Sequence, residues 1–307
     1  LENCTFTNNS ANYGGGMFND ISNPTLTNCT FTNNTAYSGG GMLNDNSSPT
    51  QTNCTSESNT ANYQGGGMYN YYSNPTLTNC TFTNNTASSC GGMYNTYSSP
   101  TLDGCTFENN TANSYYGGGM YNSISNPTLE NCTFTNNTAG DYGGGMYNYN
   151  SSPSLTDCTF TGNSAFEGGG MYNSSNSSPT LDGCTFENNT ADYYGGGMFN
   201  WYSSSSPTLT NTTVCGNSPD QIYGDWTDNG GNTIADVCPI DCPADINGDG
   251  YVNVVDLLFL IAAWNLAGVS ADVNCDGIVD VSDLLIVIGR TEERRVGTEC
   301  RSRWSPD

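Results

Sequence analysis

The phrase "NCTFTNNTA", residues 28–36, followed at once by "YSGGGMLN", is a sentence the chain keeps rewriting. Its cysteine recurs as Cys4, Cys29, Cys54, Cys80, Cys105, Cys132, Cys158 and Cys184, at steps of 25, 25, 26, 25, 27, 26 and 26 residues. A ninth, decayed copy, "PTLTNTTVCGNS" from Pro207, has Thr212 in the cysteine slot. Units this short cannot bury an apolar face alone, so they must stack on one another to fold. Length varies before the glycines and in the Asn/Ser stretch before the proline, which marks those two places as loops.

Within one repeat the apolar positions are Leu26, Cys29, Phe31, Ala36 and Met42. Cys29 and Phe31 alternate with Thr30 and Thr32, the pattern of a half-buried strand. The step from Leu26 to Cys29 breaks that period, so the chain turns there, and Asn28 suits the corner because Asn tolerates a left-handed backbone. "Ser-x-Pro-Thr" supplies a second corner and the "GGGM" glycines a third, where backbones approach too closely for side chains. Three short strands and three corners describe one coil of a β-helix. Stacked helix pairs are excluded, since Gly, Asn, Ser, Thr and Pro are poor helix interiors. The expected fold is therefore all-β over residues 1–218, a single-stranded parallel β-helix (solenoid) of eight coils plus one degenerate coil.

Stacking at about 4.8 Å would lay identical residues over one another. Asn33, Asn34 and Asn44 have counterparts in most coils, and each amide could donate to one neighbour and accept from the other, or serve only as a turn former. The repeated cysteines lie within disulfide range of each other, yet stacked side chains point in parallel, which favours a buried column of free thiols. Cys90, in a glycine slot, and Cys215, in the decayed coil, are irregular and expected to be individually paired. Phe18, Tyr69, Tyr94, Tyr121, Tyr147, Tyr172 and Phe199 each follow the Met of a glycine triplet. If Met points inward these rings point outward, as a stripe for glycans or surfaces or as cover for the glycine-rich backbone.

The paired words "FTNN", at Phe31–Asn34, Phe82–Asn85 and Phe134–Asn137, and "GGGM", at Gly39–Met42 and most later turns, resemble the F-x-x-N and GG-x-I repeats of polymorphic outer membrane proteins. They are similar to the wider bacterial set of right-handed parallel β-helices with a pectin-lyase-like fold. The resemblance implies right-handed coils and an extracellular, cell-surface or outer-membrane-associated location. It does not imply one activity, because this scaffold hosts lyases, hydrolases and adhesins alike. Lyases of the fold commonly need a cationic base or neutraliser, and residues 1–289 contain no Arg, Lys or His. A hydrolase needs converging carboxylates. Asp103 and Asp182 share one repeat column but with two coils between them, about 14 Å apart at the spacing of stacked strands.

After a stretch rich in turn formers, residues 219–244, read as cap and linker, the text changes: "DINGDGYVNVVD", residues 245–256, and "DVNCDGIVDVSD", residues 272–283, each followed by an apolar run. These are twelve-residue calcium loops of the EF-hand kind. Side-chain oxygens at positions 1, 3 and 5 come from Asp245, Asn247 and Asp249, and from Asp272, Asn274 and Asp276. Tyr251 and Ile278 offer backbone carbonyls, Asn253 and Asp280 fill position 9, and Asp256 and Asp283 close the loops at position 12. Gly250 and Gly277 make the sharp turn at position 6. Two Ca2+ ions are expected. Paired loops ending in Asp, with no helix before the first, resemble dockerin type I over residues 245–289. That resemblance implies a small α-helical paired-calcium-loop module whose partner is a cohesin-like or other cell-surface protein. Loop positions 10 and 11, a hydroxyl pair in many members, are here Val254 and Val255, then Val281 and Ser282. Cys242 and Cys275, near the loop starts, are a candidate disulfide.

The formal charge of −24 and the confinement of all five cations to Arg290, Arg294, Arg295, Arg301 and Arg303 make nucleic acid and anionic membranes poor partners. No apolar run reaches membrane-spanning length. Residues 290–307 share nothing with either module and read as an unrelated ending, of the sort produced by translation past a true end. The opening at "LENC", inside a repeat, reads as a fragment edge. The expectation is a non-catalytic extracellular or cell-surface β-helix with a calcium-dependent docking module, with polysaccharide as a further candidate partner. The alternative is a piece of a polysaccharide-degrading lyase or hydrolase whose catalytic coils lie elsewhere.

Overall fold

A computed structural model of the chain describes residues 1–201, 204–238 and 258–261. Residues 1–238 form one compact unit, and residues 239–307 fall outside it. Within the first unit every pairing between strands is parallel, and each strand pairs with its counterparts one coil above and below. The coils stack in register, Thr on Thr, Phe on Phe and Met on Met. This is the β-solenoid that the repeat period demands.

Each coil has four walls rather than the three expected. In the coil quoted above, sheet I runs through Thr25–Thr27, sheet II through Thr30–Thr32, sheet III through Thr35–Ser38 and sheet IV through Met42–Asp45. The stacked sheets contain nine, ten, seven and nine strands. The additional corner is Asn33, whose φ of 56° matches the 53° of Asn28 at the corner before it. Asn, with a side chain short enough for the left-handed region, thus turns the chain twice within six residues. The last strands, Ile222–Tyr223, Thr227–Asp228 and Thr233–Ala235, extend sheets IV, I and II by another rung. The solenoid therefore continues into the stretch read as cap and linker.

The interior is a set of columns. Leu26, Cys29, Phe31 and Met42 and their apolar counterparts in the later coils are almost wholly buried and make one continuous core, with Cys4, Phe6 and Met17 of the first coil partly buried against it. Phe82, Phe107, Phe134, Phe160 and Phe186 stack with ring centroids 4.5–4.9 Å apart and nearly parallel planes. Such pairs add about 0.5–1.5 kcal/mol each beyond burial. The coil at residues 50–60 interrupts two columns, with Gln51 in the leucine slot and Ser56 in the phenylalanine slot. The last glycine of each triplet faces this core, and a Cβ on Gly119 would lie 2.7 Å from a backbone oxygen and 2.9 Å from the Phe134 ring. That close approach is why the triplets admit no larger residue there.

Two asparagine ladders run through the solenoid. Asn110 donates through Nδ2 to Phe82 O (2.8 Å) and Asn137 Oδ1 (2.9 Å), while its Oδ1 accepts from the backbone N–H and Nδ2 of Asn85. Both amide protons and both oxygen lone pairs are used, in a side chain with no exposed surface. A second column, from Asn19 through Asn44, Asn70 and Asn95 to Asn200, passes one Nδ2–H to the next Oδ1 at 2.8–2.9 Å. Asn33 belongs to neither ladder; it is a corner. The cysteine column is buried and free of disulfides, from Cys29 to Cys184. Its thiols donate to the carbonyl two residues back, as from Cys54 to Thr52 O (3.4 Å), and Thr212 preserves that bond with its hydroxyl (2.9 Å). Of the two irregular cysteines, Cys215 pairs with Cys238. Cys90 corrects the other expectation: it is a buried free thiol packed beneath the Tyr94 and Tyr121 rings.

Candidate functional site

The residues after each Met do point out of the β-helix, but they do not make a solvent-facing stripe. Tyr94, Tyr121, Tyr147, Tyr172 and Phe199 are each no more than 8 % exposed, Tyr69 is half-buried, and only Phe18 at the first coil is open, at 49 %. Their rings stack on one another at 4.4–5.2 Å. A second row, Tyr116, Tyr142 and Tyr194, comes from the variable stretch before the glycines and lies over them, with Tyr116 4.8 Å from Tyr147 and Tyr142 4.7 Å from Tyr172. Cover for the backbone is thus the role this column plays through the middle coils. Burial accordingly pushes the hydroxyls up, Tyr69 to about 12, and Tyr94, Tyr147 and Tyr172 also upward. One set of exposed aromatics stands a corner earlier, Tyr13, Tyr37, Tyr63, Tyr115, Phe166 and Tyr193, 43–56 % exposed, and another stands at or just after the ends of sheet IV strands, at Tyr72, Tyr97 and Tyr149. The spacing of the first set was hidden because insertions before the glycines shift it out of a fixed register.

The outer column ends in a cleft. Glu167, Tyr194, Phe199, Asn200, Trp201, Tyr223, Gly224 and Asp225 line a space of about 480 Å³. Tyr223 closes the stack, 5.0 Å from Phe199 and 4.4 Å from Tyr194, and keeps 41 % of its surface exposed. Trp201 leans against Phe199 at 5.8 Å with its plane tilted 32°. Asn200 passes the inner ladder's last amide to Asp225 O (3.0 Å), which fixes the loop carrying Gly224 and Asp225. Glu167, at the end of a sheet III strand, is 7 % exposed, and its Oε2 has no hydrogen-bond partner among the described residues. Desolvation raises its carboxyl above the ordinary carboxylate value, and its charge helps hold Tyr172 and Tyr142 up. In the sequence Glu167 is one lone candidate carboxylate among several, with Asp141 and Asp192, and nothing there marks it as the buried one.

Among the described residues other acids meet only in pairs of adjacent strands, Asp20 in register beside Asp45 and Asp103 beside Glu130. Asp103 and Asp182 sit on sheet I with the strands of Glu130 and Thr156 between them. Cys80 and Cys105 are poor nucleophiles, since hydrogen bonding to the next thiol and burial push them up to about 12. Among the described residues no cluster of three or more His, Cys, Asp or Glu is placed to hold a metal, and no helix is long and apolar enough to cross a membrane. The predicted calcium ligands, Asp245 to Asp256 and Asp272 to Asp283, and the cysteines Cys242 and Cys275 lie outside the described residues. Of the apolar run after the first loop, residues 258–261 are helical. The donor set itself is chemically apt: carboxylates, amides and carbonyls in a twelve-residue frame suit a hard divalent cation.

Residues 1–114 and 88–237 match the right handed beta helix region, which fixes the hand of the coils, and residues 243–291 match the dockerin type I domain. Dockerin type I domains bind calcium and take a protein, a cohesin, as partner. No curated protein and no solved structure matches the chain significantly. With more than two thirds of its residues in that repeat region and the dockerin match at its C-terminal side, the chain belongs to the right-handed β-helix family and carries a dockerin type I module.

Proposed function

We propose that this is a non-catalytic β-helix protein of the cell exterior, attached to a cohesin-like partner by a dockerin module that folds on binding two calcium ions. The observation that carries the reading is the pair of twelve-residue loops inside the dockerin match, each with acidic side chains at positions 1, 5 and 12. Asp245, Asn247, Asp249, Tyr251, Asn253 and Asp256 hold one ion in this reading, and Asp272, Asn274, Asp276, Ile278, Asp280 and Asp283 the other. Val254 and Val255 replace the hydroxyl pair of many relatives, so the partner surface should be more apolar than the usual one. The absence of any Arg, Lys or His from residues 1–289 supports a scaffold over a lyase. The neutral ladders suit a stiff spacer that holds whatever it carries away from the attachment point.

The test is complex formation between the full chain and a panel of cohesin domains, in calcium and in chelator. Calcium-dependent capture, lost when Asp245 and Asp272 are both changed to Ala, is the expected outcome. A complex that persists in chelator, or none with any cohesin, would contradict the docking reading.

A further inference from the structure

We infer that the cleft at the end of the outer aromatic column binds a neutral, hydroxyl-rich glycan. Three observations converge there. The aromatic stack, covered along most of its length by Tyr116, Tyr142 and Tyr194, ends at Tyr223 with an open ring, and Trp201 stands beside it. Glu167 is more than nine-tenths buried, lines the same cleft, and holds a carboxylate oxygen that no described residue satisfies. Asp225 and Asn200 add further polar groups to the wall.

The chemistry of the wall narrows the ligand. A buried carboxylate oxygen without a donor is unfavourable, and a ligand that presents a hydroxyl to it removes the defect. The flat C–H faces of a sugar ring suit the aromatic platform, while its hydroxyls reach Glu167 and Asp225. An anionic glycan is disfavoured, because two acids line the cleft and residues 1–289 offer no cation. A quaternary ammonium needs several ring faces turned toward it. Here Phe199 lies between Tyr172 and Tyr223, and Tyr194 lies against Tyr223, so those faces are spent on one another. The exposed pair Phe166 and Tyr193, 5.7 Å apart, leads to the cleft through Tyr194, 4.4 Å from Tyr193, which suits a chain of sugars better than a single one.

The described residues that line this site are Glu167, Tyr194, Phe199 to Trp201 and Tyr223 to Asp225, and the inference does not rest on the docking reading. The test is calorimetry of the full chain, in chelator, with cellohexaose, xylohexaose and mannohexaose as neutral probes. Hexagalacturonate and tetramethylammonium serve as charged ones. At least one neutral hexasaccharide should bind, and Tyr223→Ala should weaken it about tenfold or more, as loss of a stacking platform does. Glu167→Gln, which keeps the shape but gives up half the acceptor capacity, should weaken it by about three- to tenfold. Asp225→Asn supplies a second polar readout should either variant fail to give the wild-type circular dichroism. No binding of any neutral probe, tighter binding of either charged probe, or affinity unchanged by these substitutions would overturn the inference.

Discussion

Residues 1–238 and the paired loops of residues 245–283 are both rich in polar side chains, but of opposite kinds. The β-helix buries neutral amides, hydroxyls and thiols, each of which can donate to one copy of itself and accept from another. Asn110 is satisfied because Asn85 and Asn137 are the same residue in the same place. The loops crowd three aspartates into the first copy and four into the second, and carboxylates cannot satisfy one another. Repetition therefore completes the first region and obstructs the second, which needs an ion from outside. Glu167 is the exception inside the β-helix: an acid in a region built from self-pairing groups, and it marks the place where that region offers something to a ligand.

The sharpest way to break this contrast is to remove one rung of the amide ladder. Asn110→Ala would take their Asn110 side-chain partner from the Asn85 backbone N–H, one Asn85 Nδ2 proton, Phe82 O and Asn137 Oδ1, all buried. At about 1–3 kcal/mol for each orphaned group, denaturant unfolding should report a loss of roughly 3–6 kcal/mol. A loss under about 1 kcal/mol would mean the ladder is a consequence of stacking and not a cause of it.

A smaller effect separates packing from pairing. Cys105→Ala removes a buried thiol and should cost about 1–3 kcal/mol by the void it leaves. The native protein should resist alkylation along the whole column, while the denatured, unreduced chain should titrate most of the eight repeat cysteines. Few titratable thiols would mean the column is cross-linked.

The smallest expected change has the opposite sign. Burial raises the Glu167 carboxyl above its ordinary value near 4.5, so its folded state binds the proton more readily than the unfolded chain does. Whatever stability it contributes is fully present below the unfolded value and is lost as pH rises through the folded one. Glu167→Gln should then melt slightly higher than the parent at neutral pH, with the difference vanishing below about 4.5. The tyrosines beside it, Tyr142 and Tyr172, are neutral across that window, with hydroxyls held up by burial first and by neighbouring charges second, and Asp225 is the other acid of the cleft. A variant no more stable at neutral pH would remove the argument that this carboxylate is held for a ligand.

Much of this was legible in the repeat. A fixed period with fixed-length segments implied in-register columns, and the Asn34, Asn44 and cysteine columns followed from that. What stayed hidden had local reasons. Asn33 and Asn34 are the same residue side by side, yet one turns the chain at φ 56° and the other carries a ladder, so composition could not separate them. The strand at Thr35–Ser38 has one buried apolar residue, Ala36, too little alternation to announce a fourth wall. The serines before each proline read as loop, but Ser73, Ser98 and Ser125 form their own column, each backbone N–H donating to the next Oγ at 2.9 Å. The burial of Tyr121 and Tyr147 depends on Tyr116 and Tyr142, which belong to the segment of variable length where register cannot be counted.

The contrast between the two regions comes down to calcium. Titrating the chelator-stripped full chain with calcium in a calorimeter, and following far-ultraviolet circular dichroism alongside, measures it directly. Uptake of two ions with a gain of helical signal is expected, while the β-sheet signal holds steady. Both the heat and the gain should vanish when Asp245 and Asp272 are changed together to Ala. No uptake up to about millimolar calcium, or tight uptake that survives the double substitution, would contradict the account.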